Sequence, residues 1–338
     1  MKLAILGLGF MGSTHAKALG AVPGVELAAV FSRDEKKLAG DLTGVRGNLG
    51  GRGEMADFAG VRKYREVEAL LADPKIEAVD ICLPTFLHEE AAIGAMRAGK
   101  HVLVEKPMAL DDWTAGRMLS HAAKHSRVLM TAHVLRFWPA YVALRRAVEQ
   151  GRWGAMRSAV FRRRCAAPGW GGWLRDPALS GGGAFDLLVH DADMCLHLFG
   201  KPEVLSATGC RDEAAGIDCL HAQLSYAGGS VVLITGGWHH PGAYPFSMEY
   251  TVTLEGGTIE WGGGERPPAM YPADGPAQVL ECPDCDPYAA EIAYFAGCCG
   301  EGTAPALCPP RESAAAVSLM LLMLESRARN GQKLVCRV

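Results

Sequence analysis

The chain has 338 residues, 49% of them hydrophobic and 21% charged, with a formal net charge of −3 at pH 7. That balance fits a globular protein with two domains, each with its own core, and excludes a general electrostatic attraction to nucleic acid or to an anionic membrane. Glycines at 7, 9 and 12 break the apolar start, no small-residue cleavage site or membrane-length apolar stretch follows, and the 11 scattered cysteines read as reduced thiols, so a cytoplasmic location is expected.

Residues 3–6 form an apolar run suited to a strand buried on both faces. It leads directly into Gly7-Leu8-Gly9-Phe10-Met11-Gly12, the G-x-G-x-x-G spacing. Gly7 permits a tight turn, Gly9 lets backbone approach a pyrophosphate, and Gly12 lets the following helix pack on the strand. A helix over 11–19 and a second apolar strand over 25–31 complete a β-turn-α-β unit, the context that a dinucleotide site requires. At the end of that second strand, where an acid would bind a ribose 2′-hydroxyl, stand Ser32 and Arg33. Without a carboxylate to repel a 2′-phosphate, and with a guanidinium to meet it, NADP(H) is favoured over NAD(H). The alternative is that Ser32 caps the next helix, with Glu35 completing a capping box and Arg33 solvated.

A helix over 34–42 is expected next, then a glycine-dense surface loop over 44–60 whose Arg46 and Arg52 either reach a phosphate or face water. A short helix at 66–71 and a buried strand at 78–83 follow. Ligands of an open parallel sheet sit beyond the carboxyl ends of its strands, so Leu83, Pro84, Thr85 and His88 should border the cofactor; the other reading of His88 is a helix-start residue facing solvent. A strand over 101–104 delivers Glu105-Lys106-Pro107 to the same edge, so Glu105 and Lys106 are expected to border the cofactor as well. There Lys106 is placed to hold a substrate oxygen, against the alternative of a surface lysine paired with Glu105.

In the second half, a strand over 155–164 ends in Arg162-Arg163-Arg164, read as a solvated edge or as contacts to an anionic substrate group. Trp170 to Trp173 form a loop able to stack on a sugar ring. After a glycine run, Asp186 and His190 lie four apart and so share one helical face, where a carboxylate can support an imidazole as proton acceptor; a surface pair or a structural histidine is the competing reading. Strand-like patterns fill 203–261, with turns at 227–229 and 255–257 and with His239, His240 and Tyr244 between two strands. A proline-rich loop over 265–276 and helices over 287–300 and 309–330 close the chain. Cys282-Pro283-Asp284-Cys285, with Cys298, Cys299 and Cys308 beyond, is a single C-x-x-C and is read as no metal site.

The glycine motif, Pro84-Thr85 before His88, Gly99-Lys100-His101-Val102, Glu105-Lys106-Pro107, and Arg136-Phe137-Trp138-Pro139 with Gly151-Arg152-Trp153-Gly154 together resemble the Gfo/Idh/MocA oxidoreductase family. His133 stands where members often carry asparagine. The resemblance implies an α/β protein: an N-terminal Rossmann domain, taken as 1–132, and a C-terminal α/β domain, 133–338, carrying a large open, mainly antiparallel sheet. It implies nicotinamide-dependent redox chemistry on a sugar, a cyclitol or a derivative, with Lys106, Asp186 and His190 catalytic and Lys106, Arg136, Trp173, Asp186 and His190 touching substrate. A lyase or glycosidase using bound nicotinamide for transient oxidation, and a non-catalytic NAD(P)H-binding sensor, are the rival functions. Strands at 222–226, 230–235 and 247–254 carry more apolar residues than one buried face requires, and family members commonly pair through that sheet, so a homodimer or homotetramer is expected.

Overall fold

The structure, a computed structural model, describes residues 1–47 and 53–338, so the expectation for Arg52 lies outside the described residues. Two compact units emerge: Met1–Val134 with Cys285–Ala314, and Leu135–Asp284 with Ala315–Val338. A single cut at 132/133 therefore misses the return of 285–314 to the first unit, where helix α9 (Pro287–Glu301) packs on α1 (Phe10–Leu19).

The first unit is built on six parallel strands: β1 (Lys2–Leu6), β2 (Glu26–Phe31), β3 (Arg62–Tyr64), β4 (Ala78–Ile81), β5 (His101–Glu105) and β6 (Leu129–Ala132), in the order β3-β2-β1-β4-β5-β6. Helices α1, α2 (Glu35–Leu38), α3 (Val67–Leu71), α4 (His88–Arg97) and α5 (Asp112–His125) connect them. Leu3 to Leu6 and Val102 to Val104 are fully buried, as continuous apolar runs in a two-faced sheet must be. The strand order reverses at β1 and β4, and such a reversal opens a crevice at the strand carboxyl ends. Helix α2 is shorter than expected: Asp34 caps it, and it ends before Gly40, whose φ is +98°.

The second unit holds a ten-stranded mixed sheet: β7 (Met156–Ala166), β8 (Val204–Thr208), β9 (Arg211–Asp212), β10 (Ile217–Ser225), β11 (Val231–His240), β12 (Ser247–Leu254), β13 (Gly257–Trp261), β14 (Ala269–Pro272), β15 (Gln278–Val279) and β16 (Leu334–Val335). Only β7 and β11 pair in parallel; every other neighbour is antiparallel. Helices α6 (Pro139–Glu149), α7 (Pro177–Ser180) and α8 (Gly183–Phe199) complete the unit, and α10 (Pro310–Ala328) runs across the division at 314/315. The proline-rich stretch expected as a loop contributes β14 to the sheet edge.

In β12 the burial alternates without exception, Met248, Tyr250, Val252 and Leu254 facing inward. The same alternation puts Ala222, Leu224, Val232 and Ile234 on the buried side, where β7, β10 and β11 pack against α8. One face thus accounts for most of the apolar residues of these strands. The opposite positions carry Arg162, His221, Gln223, Thr235, Glu249 and Thr251, so the open face is mainly polar rather than apolar as expected, with Leu233 40% exposed among them.

Candidate active site

The turn after β1 has no room for side chains at two of its glycines. A Cβ on Gly7, whose φ is +101°, would lie 2.7 Å from the Cys82 carbonyl oxygen, and one on Gly12 would lie 1.8 Å from the Gly7 oxygen. Gly9 differs: a Cβ there meets nothing within 4 Å. Its lack of a side chain is unexplained by packing and leaves open space beside the start of α1. No side chain caps that helix, so the backbone N–H groups following Gly9 remain available to an anion, with Phe10 and Met11 in the first turn. These features fit a dinucleotide pyrophosphate.

At the end of β2, Ser32 is buried and its Oγ accepts from Asp34 N–H at 3.1 Å. Asp34 accepts from Lys36 N–H at 2.9 Å and Lys37 N–H at 3.4 Å, and Glu35 pairs with Arg65. The capping box expected from Ser32 and Glu35 is therefore replaced by an aspartate cap, whose charge also suits the helix N-terminus. Arg33 is exposed, as is Arg46.

Pro84 and the buried Thr85 lie where β4 turns into α4, after a half-buried Leu83. His88 is 1% exposed, which overturns its solvent-facing reading. Its Nδ1 stands 2.9 Å from the Pro107 carbonyl oxygen and its Nε2 2.8 Å from that of Leu83. Burial, outweighing those two carbonyls, pushes its pKa down to about 4. His88 thus sits buried between the β4 and β5 turns, and its neutral ring has one N–H to donate to one of the two carbonyls. Beside it Lys106 is half-buried, and the Lys106–Pro107 peptide is cis.

Behind Lys106 lies a charge cluster that sequence reading missed. His15, on α1, is fully buried; its Nδ1 is 2.8 Å from Asp80 Oδ2 and its Nε2 3.3 Å from Glu105 Oε1. Glu105 Oε2 accepts from Lys106 N–H at 3.1 Å, so one carboxylate links the buried imidazole to the backbone of the lysine. Burial alone would lower the His15 pKa, but Asp80, Glu105 and the buried Glu291 of α9 together raise it to about 10. Glu105 is raised to about 7 by burial, against the pull of His15 and Lys106. Cys82 donates to Asp80 Oδ1 at 3.5 Å, and burial beside these carboxylates holds it well above its usual range as a thiol. His15, Asp80 and Cys82 have ligating atoms within 4.8 Å of one another, held together by the hydrogen bonds of His15 and Cys82 to Asp80. Asp80, a charge inside an otherwise apolar strand, was the available signal.

In the second unit, α8 is buried along most of its first two turns, and Asp186 and His190 are the half-buried exceptions on a shared face. Gly182 precedes it with φ +89°, and a Cβ on Gly183 would lie 2.4 Å from the Trp238 ring, so the helix starts flush against β11. Trp173 is half-buried in a 3-10 turn at Gly172–Arg175.

Several expectations are corrected. Arg136 is 1% exposed and grips Asp193 at two points, Nε to Oδ2 at 2.9 Å and Nη2 to Oδ1 at 2.7 Å, so its charge is spent on α8 rather than on a substrate. The arginines of β7 lie in a central strand, not at an edge. Arg163 is buried against Asp191, while Arg162 and Arg164 both pair with Glu249. His239 and His240 belong to β11 itself, with Tyr244 stacked on His240 at 3.8 Å. Cys298, buried, and Cys299, half-buried, lie within α9, inside the helix expected over 287–300.

Residues 1–133 match the model of the oxidoreductase family with an NAD-binding Rossmann fold, and residues 141–260 match the GFO/IDH/MocA C-terminal domain. The chain is 31% identical to the myo-inositol 2-dehydrogenase of Thermotoga maritima over 202 residues, which are 60% of this chain and 55% of that protein. It is 30% identical over 244 residues to an oxidoreductase of Formosa agariphila, covering 70% of each chain. In fold it is similar to levoglucosan dehydrogenase in complex with NADH and levoglucosan, with a TM-score of 0.86 over 100% of both chains at 19% identity. With both family models matched in order along the chain, this protein belongs to the Gfo/Idh/MocA oxidoreductase family.

Proposed function

We propose that this protein is an NAD(P)-dependent dehydrogenase or reductase, NADP(H)-preferring, that acts on a CH–OH or carbonyl group of a sugar, a cyclitol or a derivative. The observation that carries the reading is where the polar side chains of α8 and of the β5 turn stand. On α8, Asp191 and Asp193 are consumed by Arg163 and Arg136, whereas Asp186 and His190 stay half-buried on one face. On the β5 turn, Lys106 is half-buried and its backbone N–H donates to the Glu105 carboxylate.

Nicotinamide, when bound, supplies or accepts the hydride. The residues of the chain handle the proton and the oxygen. Lys106 would hold the substrate oxygen by a charge-assisted hydrogen bond and lower the cost of alkoxide character. His190 would take the hydroxyl proton in oxidation and return it in reduction, with Asp186 orienting the ring and stabilising its charged form. The cofactor would lie on the glycine turn, its 2′-phosphate toward Ser32 and Arg33. We further infer that the protein works as a homodimer or homotetramer paired through the open sheet face.

Incubating the purified protein with a panel of sugars and cyclitols and NADP⁺, and with the corresponding ketoses, inososes and NADPH, tests the reading. Substrate-dependent change in nicotinamide absorbance is expected. Product formed with no net cofactor turnover would instead establish the transient-oxidation lyase or glycosidase chemistry.

A further inference from the structure

We propose that Cys210 and Cys219 form an oxidisable dithiol, a modification site that closes to a cross-strand disulfide and restrains the start of α8. The geometry belongs to the second unit alone, so it stands apart from the assignment of activity. Cys210 sits between β8 and β9, and both strands pair with β10 in one continuous register: His221 opposite Thr208, Asp218 opposite Arg211. Cys219 therefore faces Cys210 directly, and its N–H donates to the Cys210 carbonyl oxygen at 2.9 Å. A hydrogen-bonded antiparallel pair keeps its Cα atoms about 5.5 Å apart. That spacing falls within the roughly 4.4–6.8 Å that a disulfide bridges. The two sulfurs are already 3.3 Å apart. Closure to about 2.05 Å asks for small side-chain movements and no change of register.

The two thiols differ as a sensor pair should. Cys210 is exposed and meets a solution oxidant first; Cys219 is 4% exposed, and burial raises its pKa, so it stays a thiol until its neighbour has reacted. With hydrogen peroxide as oxidant, the Cys210 sulfur takes one oxygen to become a sulfenic acid and one water leaves. The Cys219 sulfur then attacks the Cys210 sulfur, the S–S bond forms, the S–O bond breaks, and the thiol proton leaves with the hydroxide as a second water. Two thiols are oxidised and one peroxide is reduced; a dithiol reductant reverses the bond by exchange.

The strand segment has little slack. Arg327 Nη1 donates to the Cys219 carbonyl at 2.9 Å and to Asp218 Oδ1 at 2.6 Å. Asp218 Oδ2 accepts from Ala184 N–H at 3.1 Å, in the first turn of α8, the helix that carries Asp186 and His190. On the other side, a Cβ on Gly209 would lie 2.1 Å from the Cys219 oxygen, so the β8–β9 connection passes too close to the same peptide for any side chain at that position. A bond at Cys219 is thereby transmitted through Asp218 to the beginning of α8.

The test treats the folded protein with hydrogen peroxide, alkylates the remaining thiols, and maps the peptides by mass spectrometry, with and without dithiothreitol. A reducible Cys210–Cys219 link is expected. Cys219→Ser should leave a Cys210 sulfenic acid that a dione probe traps, and Cys210→Ser, at an exposed position, should abolish the link while the fold persists. Hydrogen exchange at 184–190 should slow several-fold on oxidation and recover on reduction. Over-oxidation of Cys210 with Cys219 still free, or a link to any other cysteine, would overturn the site; unchanged exchange in the linked protein would overturn its coupling to α8.

Discussion

Arg163 of β7 and Asp191 of α8 form a two-point ion pair, Nε to Oδ2 at 2.8 Å and Nη2 to Oδ1 at 3.1 Å, with both side chains buried. Asp191 follows His190 directly, so the pair fixes the rotation of α8 about its axis and leaves the adjacent imidazole off the buried face. Neither charge has water as a substitute. Arg163→Leu should therefore destabilise the protein by about 3–5 kcal/mol, because it strands a buried carboxylate. Arg163→Leu with Asp191→Leu should recover much of that loss, since apolar replacement of both partners removes the desolvation penalty. Denaturant midpoints of the two variants and the parent check this; a double variant as unstable as the single one would show that the pair is not an isolated electrostatic unit.

The His15 cluster makes a prediction about pH. A histidine whose pKa rises from 6.5 in the unfolded chain to about 10 in the fold binds its proton more tightly when folded. Its stabilisation is full below pH 6.5 and is lost as pH rises from 6.5 toward 10. Glu105, raised from 4.5 to about 7, works in the same direction over a lower window, losing stability between pH 4.5 and 7. The melting temperature should accordingly fall across pH 6.5 to 10, and His15→Gln should flatten that slope while lowering stability near neutrality. A variant with the parent's pH slope would show that His15 is neutral in the fold.

For catalysis, Lys106→Ala and His190→Ala should each lower kcat by about 10²–10⁴-fold, the range typical of losing a positioned proton-transfer or oxygen-holding group. Cofactor affinity should change far less, because the cofactor contacts assigned to the glycine turn are untouched. Equal loss in cofactor binding and turnover would leave Lys106 its expected place at the cofactor and remove its role on the substrate oxygen.

The parallel sheet and glycine turn of the first unit were legible because their determinants are local. Gly7, Gly9 and Gly12 follow a buried strand, and the strand pattern dictates which end of the sheet they occupy. The i,i+4 relation of Asp186 and His190 was equally readable from helical geometry. Arg136 and Arg163 were misread for a common reason: each is a polar residue whose partner lies far along the chain. Arg136 pairs 57 residues away and Arg163 28 residues away. Periodicity gives the face of a strand or helix but not what meets it from another element. The polar character of the open sheet face was missed similarly, since counting apolar residues over a strand does not say that alternation has sorted them onto one side.

Cofactor preference tests the end of β2. Arg33 is exposed and the buried Ser32 holds the turn through Asp34 N–H, so removing the guanidinium should leave the fold intact. Arg33→Ala should weaken NADPH by about tenfold, equivalent to roughly 1.4 kcal/mol for one lost charge-assisted contact, and leave NADH nearly unchanged. Titrating both reduced cofactors by fluorescence checks it. An unaltered NADPH-to-NADH ratio would return Arg33 to solvent.

Oligomerisation has to be argued from a face different in kind from the one the sequence suggested. The buried side of the sheet absorbs most of the apolar residues of β10, β11 and β12, and the open side presents Arg162, Gln223, Thr235, Glu249 and Thr251 around a 40%-exposed Leu233. Arg162 and Arg164 already converge on Glu249, and His221 Nδ1 lies 2.6 Å from Thr235 Oγ1, so the polar groups are partly satisfied within the chain and do not forbid a partner. A flat, wide face of this kind fits a wet interface of more than roughly 1,000 Å² with a few apolar anchors. Leu233, between two strands of that face, is the anchor to remove. Sedimentation at micromolar concentration should show a dimer or tetramer, and Leu233→Lys should shift it toward the single chain, most strongly at low salt, where a second lysine faces its own copy. If the unmodified protein sediments as one chain mass at every concentration, pairing through this sheet is wrong, and the exposed Leu233 is an ordinary surface residue.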